Sequence, residues 1–229
     1  MIPWLVLDTA PIPGDAGQLR LLQRGTEFSI QLGHNELMNS RLSGSEKALA
    51  TLAAQRVGGR AGARFLIGGL GMGFTLRAAL DALRPDAAIV VAELVPNVAE
   101  WVRGPLNALS ANALDDTRVA LRIGDVVGAI RSATAAYDAI LLDVDNGPDG
   151  LTRAANDRLY DGAGLGAAMT ALRPGGVLAV WSAHHPDRTF TQRLRRGGFA
   201  VEEVPVRANV TSGARHTIWL AMKPGRAPR

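Results

Sequence analysis

Gly68-Gly69-Leu70-Gly71-Met72-Gly73 follows the short apolar run Arg64-Phe65-Leu66-Ile67 and precedes a helical pattern over residues 74–83. A glycine-rich turn between strand and helix admits few folds. The glycines permit backbone conformations and close approaches that a Cβ would forbid, and the helix start presents unpaired amides. The dinucleotide fingerprint G-x-G-x-x-G fails in both frames. Counted from Gly69 its last position is Phe74, and counted from Gly71 it is Leu76. The spacing that is met is Gly69-x-Gly71-x-Gly73.

The rest of the chain repeats this strand and helix order. Ala88-Ile89-Val90-Val91-Ala92-Glu93 is a second buried-type strand, followed by a helix expected over 97–109. Residues 119–123 and 137–143 are the third and fourth strands. A helix over 165–172 stops at Arg173-Pro174-Gly175-Gly176, and 176–181 is the fifth strand. Apolar strands separated by helices predict a parallel sheet covered on both faces, hence an α/β fold of Rossmann-like architecture. Two last runs, 199–206 and 216–222, predict an antiparallel pair finishing the sheet. The N-terminal stretch differs. Runs 19–24 and 27–32 flank Gly25-Thr26 as a hairpin, and residues 4–7 offer a third strand. The expected division is a β region over 1–44 and a Rossmann-like domain over 45–229, whose first helix starts near Ser45.

Composition narrows the function classes. Without cysteine there is no disulfide scaffold, zinc-thiolate site or cysteine nucleophile. The 229 residues contain no apolar run approaching the ~18 of a membrane span, and the N-terminus lacks a secretory pattern. A cytoplasmic protein with no membrane partner is expected. The pI near 10.3 does not imply a nucleic-acid partner. Lys47 and Lys223 are the only lysines, and an arginine excess keeps its charge to high pH. Arg193, Arg195 and Arg196 read as a solvated helix face.

Three acids join the glycine turn. Glu93, Asp125 and Asp143 each end or follow a successive strand, where open parallel sheets bind ligands. Glu93, twenty residues past Gly73, suits two ribose hydroxyls; Asp125, after Gly124, suits an adenine amino group. Asp143 then faces the reacting end of such a nucleoside. The bland alternatives are that Asp125 caps a helix and Glu93 is solvated. Together with Gly69, Gly71 and Gly73 they fit an S-adenosylmethionine-type Rossmann site.

Phe65 to Gly73, Glu93, Gly124-Asp125, Tyr137-Asp138-x-Ile140-x-x-Asp143 and Leu172-Arg173-Pro174-Gly175-Gly176-Val177 resemble the spermidine synthase family, the polyamine aminopropyltransferases, over residues 28–222. The resemblance implies an N-terminal β-domain before a methyltransferase-type Rossmann-like domain, and decarboxylated S-adenosylmethionine as co-substrate. It implies a small amine acceptor, Asp143 as general base and Asp145 supporting ammonium binding. Segment 36–46, with Glu36, Asn39 and Glu46, falls where the family lines its substrate. No metal is implied, and a homodimer is compatible with it. The chain departs from the family in the turn, where Gly71-Met72 replaces an acid. It departs again in Asp143-Val144-Asp145-Asn146-Gly147-Pro148, where the second acid comes one residue early. An S-adenosylmethionine-dependent methyltransferase and a non-catalytic nucleoside-binding protein remain as alternatives.

Other groups carry less. Asp143-x-Asp145-x-Gly147 misses the calcium-loop template, and adjacent His184-His185 diverge too far for a metal pair. Ser40 and Ser182 lack a nucleophile elbow. Trp101 suits either the core or the adenine pocket, and His216 a structural role.

Overall fold

A computed structural model describes residues 2–144, 157–183, 186–209 and 213–225. Four antiparallel strands come first: β1 (Leu5–Pro11), β2 (Gln18–Arg24), β3 (Glu27–Leu32) and β4 (Asn35–Asn39), in that spatial order. The fourth strand was not expected; Gly33-His34 turns the chain back in two residues. Ile30 pairs with Met38 and Gln31 with Glu36, so Leu37 is a bulge residue.

Helix α1 (Gly44–Val57) leads into a seven-stranded sheet. Its strands are β5 (Arg64–Gly68), β6 (Ala88–Glu93), β7 (Val119–Ile123), β8 (Tyr137–Leu142), β9 (Leu172–Ser182), β10 (Ala200–Arg207) and β11 (Arg215–Met222). The order is β10-β11-β9-β8-β5-β6-β7, parallel except for β11, which runs antiparallel to both its neighbours. Connections reverse direction between β5 and β8, and that switch point is where such sheets bind ligands. Phe65 and Ile67 pack with α1, with α2 (Phe74–Ala82) and with α3 (Pro96–Arg103). Leu66 packs on the other face with α5 (Val126–Arg131), α7 (Gly162–Ala171) and α8 (Arg188–Arg196). Burial on both faces explains the near-continuous apolar strands.

Three departures from the sequence reading have local causes. The helix expected over 97–109 breaks at Gly104-Pro105 into α3 and the short α4 (Asn107–Ser110). Proline removes an amide and disfavours helical backbone before it. Strand β9 begins at Leu172, earlier than expected, because Arg173-Pro174-Gly175-Gly176 bulges within the strand: Tyr137 pairs with Leu172, but Ala139 with Val177. Helix α7 starts at Gly162, where Asp161 accepts from the Gly164 amide at 2.7 Å. A one-turn helix, α6 (Asp157–Tyr160), precedes it.

Asp138, fully buried inside β8, is matched by the Arg64 amide at 2.8 Å, Arg173 at 2.9 Å and an ion pair with Arg60. The arginine cluster in α8 lies in the last turn of an amphipathic helix, where cations complement the helix dipole. Among the described residues no helix is long and apolar enough to cross a membrane.

Candidate active site

A cavity of about 380 Å³ opens at the carboxyl ends of β5, β6, β7 and β8 and is walled on one side by the N-terminal sheet. Gly69, Gly71, Glu93, Gly124, Asp125, Asp143 and Glu46 all line it, so seven residues from five parts of the sequence converge. Asp145 lies outside the described residues, as do His184 and His185.

Two glycines of the turn are dictated by space. Gly69 has φ +86°, and a Cβ on it would overlap the Asp143 carbonyl oxygen. Gly71 has φ +53°, and a Cβ there would come 2.8 Å from the Met38 sulfur. Gly73 does not line the cavity; it starts α2 packed against Ser110, so its role is in the turn itself.

Glu93 is nine-tenths buried and held by two backbone amides, Leu70 to Oε2 and Val95 to Oε1, both at 2.8 Å. Burial pushes its pKa up, against those hydrogen bonds. Glu93 also lines the cavity, where a carboxylate can accept from a ligand hydroxyl. Asp125 is both a cap and a lining residue. It accepts from the Val127 amide at 2.9 Å at the start of α5, and Arg158 stands 3.6 Å away.

Asp143 and Glu46 form the second centre. Asp143 keeps some surface open to the cavity but is surrounded by protein, and Oδ2 accepts from the Thr75 hydroxyl at 2.6 Å. Burial, then the nearby Glu46 charge, pushes its pKa up to about 7. Glu46 is itself raised by burial, although the Ser45 hydroxyl donates to Oε2 at 2.7 Å and Lys47 lies beside it. Two acids so placed cannot both ionise cheaply at neutral pH, so they tend to hold one proton between them.

Glu36 and Asn39, expected to line the substrate, do not reach the cavity. Ile30 and Met38 take that face of the N-terminal sheet, and Glu36 lies on the other, accepting from Ser29 at 2.7 Å and Asn39 at 2.8 Å. The wall they were expected to build is apolar instead: Ile12, Leu19, Ile30, Leu32, Leu37 and Met38. Sequence reasoning missed these side chains, although the apolar alternation of β2 and β3 carried the signal. It also missed Trp181, which lines the cavity from β9. Trp101 is a core residue; its indole donates to Asp8 at 2.6 Å and ties α3 to β1.

No family model matches the chain. Over 134 residues it is 30% identical to a polyamine aminopropyltransferase of Korarchaeum cryptofilum, a match covering 58% of this chain and 40% of that relative. The chain thus matches less than half the length of that relative. A spermidine synthase from Thermotoga maritima superposes with a TM-score of 0.76 at 18% identity, covering 95% of this chain and 72% of the other. A spermidine synthase in complex with the transition-state analogue AdoDATO gives 0.74 at the same identity and coverage. The chain has the fold of the spermidine synthases and is similar in sequence, over part of its length, to a polyamine aminopropyltransferase.

Proposed function

We propose that the chain transfers an aminopropyl group from decarboxylated S-adenosylmethionine to a small amine. The observation that carries this reading is the charge at the reacting end of the cavity. Glu46 and Asp143 stand there together, and the one cation among the described lining residues is Arg158, beside Asp125. Asp125 follows β7, three strands from β8 and so roughly 14 Å across the sheet. A sulfonium and an amine gain from the acid pair, whereas the carboxylate of the intact donor would meet no counter-charge there. That difference favours the decarboxylated donor over methyl transfer from the intact one. The similarity to a polyamine aminopropyltransferase and to a spermidine synthase that binds AdoDATO supports the same choice.

In this reading Gly69 and Gly71 let the donor approach the backbone, Glu93 accepts from its ribose and Asp125 from its adenine. Asp143 orients the acceptor and takes its proton, exposing the lone pair that attacks the methylene next to sulfur. The C–N bond forms as the C–S bond breaks, and sulfur keeps the electron pair as a neutral thioether. Asp145 is assigned by resemblance to a second ammonium contact. Residues 1–44 would serve as an acceptor-side domain against a donor-binding domain over 45–229, in a cytoplasmic protein, as a homodimer, with no nucleic-acid partner. Isothermal titration with the two donors tests the reading. Tighter binding of the decarboxylated donor, by about tenfold or more, is expected; equal or tighter binding of the carboxylated donor would overturn it.

A further inference from the structure

Ser45 and His216 meet although 171 residues separate them: the His216 Nδ1 lies 2.9 Å from the Ser45 Oγ. The same hydroxyl is 2.7 Å from Glu46 Oε2. Ser45 is fully buried in the first turn of α1 without capping it, since Ser43 holds the cap position. Its hydrogen-bonding capacity is therefore spent on joining Glu46 to the histidine. His216, near the start of β11, is half-buried and stands edge-on to Trp181, with ring centroids 4.9 Å apart. A hydrogen-bonded chain runs from Glu46 at the cavity through Ser45 to this half-buried ring.

Aminopropyl transfer needs an exit for one proton per turnover. A free amine is an ammonium at neutral pH and must lose a proton before it can attack. The product nitrogen again carries a positive charge, and the sulfonium charge disappears, so the lost proton must leave the site. We propose that Glu46, Ser45 and His216 form the path by which that proton leaves the acid pair for solvent. The inference rests on the transfer reading above. The acceptor ammonium gives its proton to the Asp143 and Glu46 pair. Protonated Glu46 donates to Ser45 as the Ser45 hydroxyl proton moves to His216 Nδ1, and the imidazolium releases a proton to water. No bond to carbon changes in these steps, and Ser45 ends as a hydroxyl. Among the described residues, the charged neighbours at the cavity end of the path are Lys47 on α1, beside Glu46, and Asp143 after β8.

The test compares S45A and H216N with the wild-type enzyme on whichever amine it turns over. The path predicts that each lowers kcat about 10- to 100-fold with little change in donor KM. The double variant should be no worse than either single one, and added imidazole should restore part of the H216N rate. Folded variants with wild-type kcat and pH profile would overturn the path. Should the wild type transfer nothing to any amine, the transfer reading fails instead, and a measurement without turnover still decides the path. By NMR titration of the whole protein, the His216 midpoint should fall in D143N, and this response should shrink when S45A is added. A His216 midpoint indifferent to D143N, or a response undiminished by S45A, would overturn the path.

Discussion

Gly69 lies directly against the backbone of Asp143: a Cβ at Gly69 would overlap the Asp143 carbonyl oxygen. The Asp143 amide donates to Gly68 at 3.0 Å, and the Gly69 amide donates to Ala92 at 2.9 Å. The glycine turn and the acid proposed as base are thus fixed by one set of backbone contacts at the sheet's switch point. Neither can shift alone.

Gly69→Ala should therefore affect stability and chemistry together. The left-handed backbone and the overlap should cost about 2–4 kcal/mol in urea unfolding. Displacing Asp143 by about 1 Å should lower transfer about 100-fold. A variant of unchanged stability and activity would show that the contact is slack.

Asp143→Asn should trade activity for stability. The carboxyl ordinarily titrates near 3.8 and here near 7, so between those values the folded state binds more protons than the unfolded one. Wild-type stability from this group is fully present below the ordinary pKa and is lost as pH rises through 7. The variant removes that loss. It should be more stable than wild type by about 1–3 kcal/mol at pH 8, with no gain near pH 4, while transfer falls at least ~100-fold. Unfolding curves at the two pH values check the sign.

Glu93→Gln keeps the size of the side chain but offers an amide nitrogen where two backbone amides already donate, from Leu70 and Val95. One donor must lose its acceptor, at a cost of about 1–3 kcal/mol. Affinity for methylthioadenosine should drop tenfold or more by calorimetry. Undiminished affinity would remove Glu93 from the ribose site.

Trp101→Phe tests the tie between the N-terminal sheet and α3. The indole hydrogen bond, first among the causes, holds Asp8 below its ordinary pKa of 3.8. Its stabilisation is present above that value and is lost as pH falls through the lowered one. The variant should lose about 1–2 kcal/mol at pH 7 and less at pH 3, as read by thermal unfolding.

The parallel sheet was legible because strands buried on both faces are apolar throughout, as in Ala88–Glu93 and Tyr137–Leu142. Strand β4 was not, since Asn35-Glu36-Leu37-Met38-Asn39 has neither alternation nor β-branched residues. Its bulge also explains the error at Glu36 and Asn39. Leu37 and Met38 both line the cavity, and the polar residues beside them face away. Glu93, Asp125 and Asp143 could be located from strand ends, because position along a strand fixes which edge an acid reaches. The link from Glu46 through Ser45 to His216 had no local signal, as only the closing of β11 against β9 brings His216 to α1.

The central claim is aminopropyl transfer, and product analysis tests it most directly. Purified protein is incubated with each sulfonium donor and a panel of mono-, di- and polyamines, and products are identified by mass spectrometry. The account predicts methylthioadenosine and an aminopropylated amine, formed only with the decarboxylated donor. S-adenosylhomocysteine with a methylated product, or no product from either donor, would contradict it.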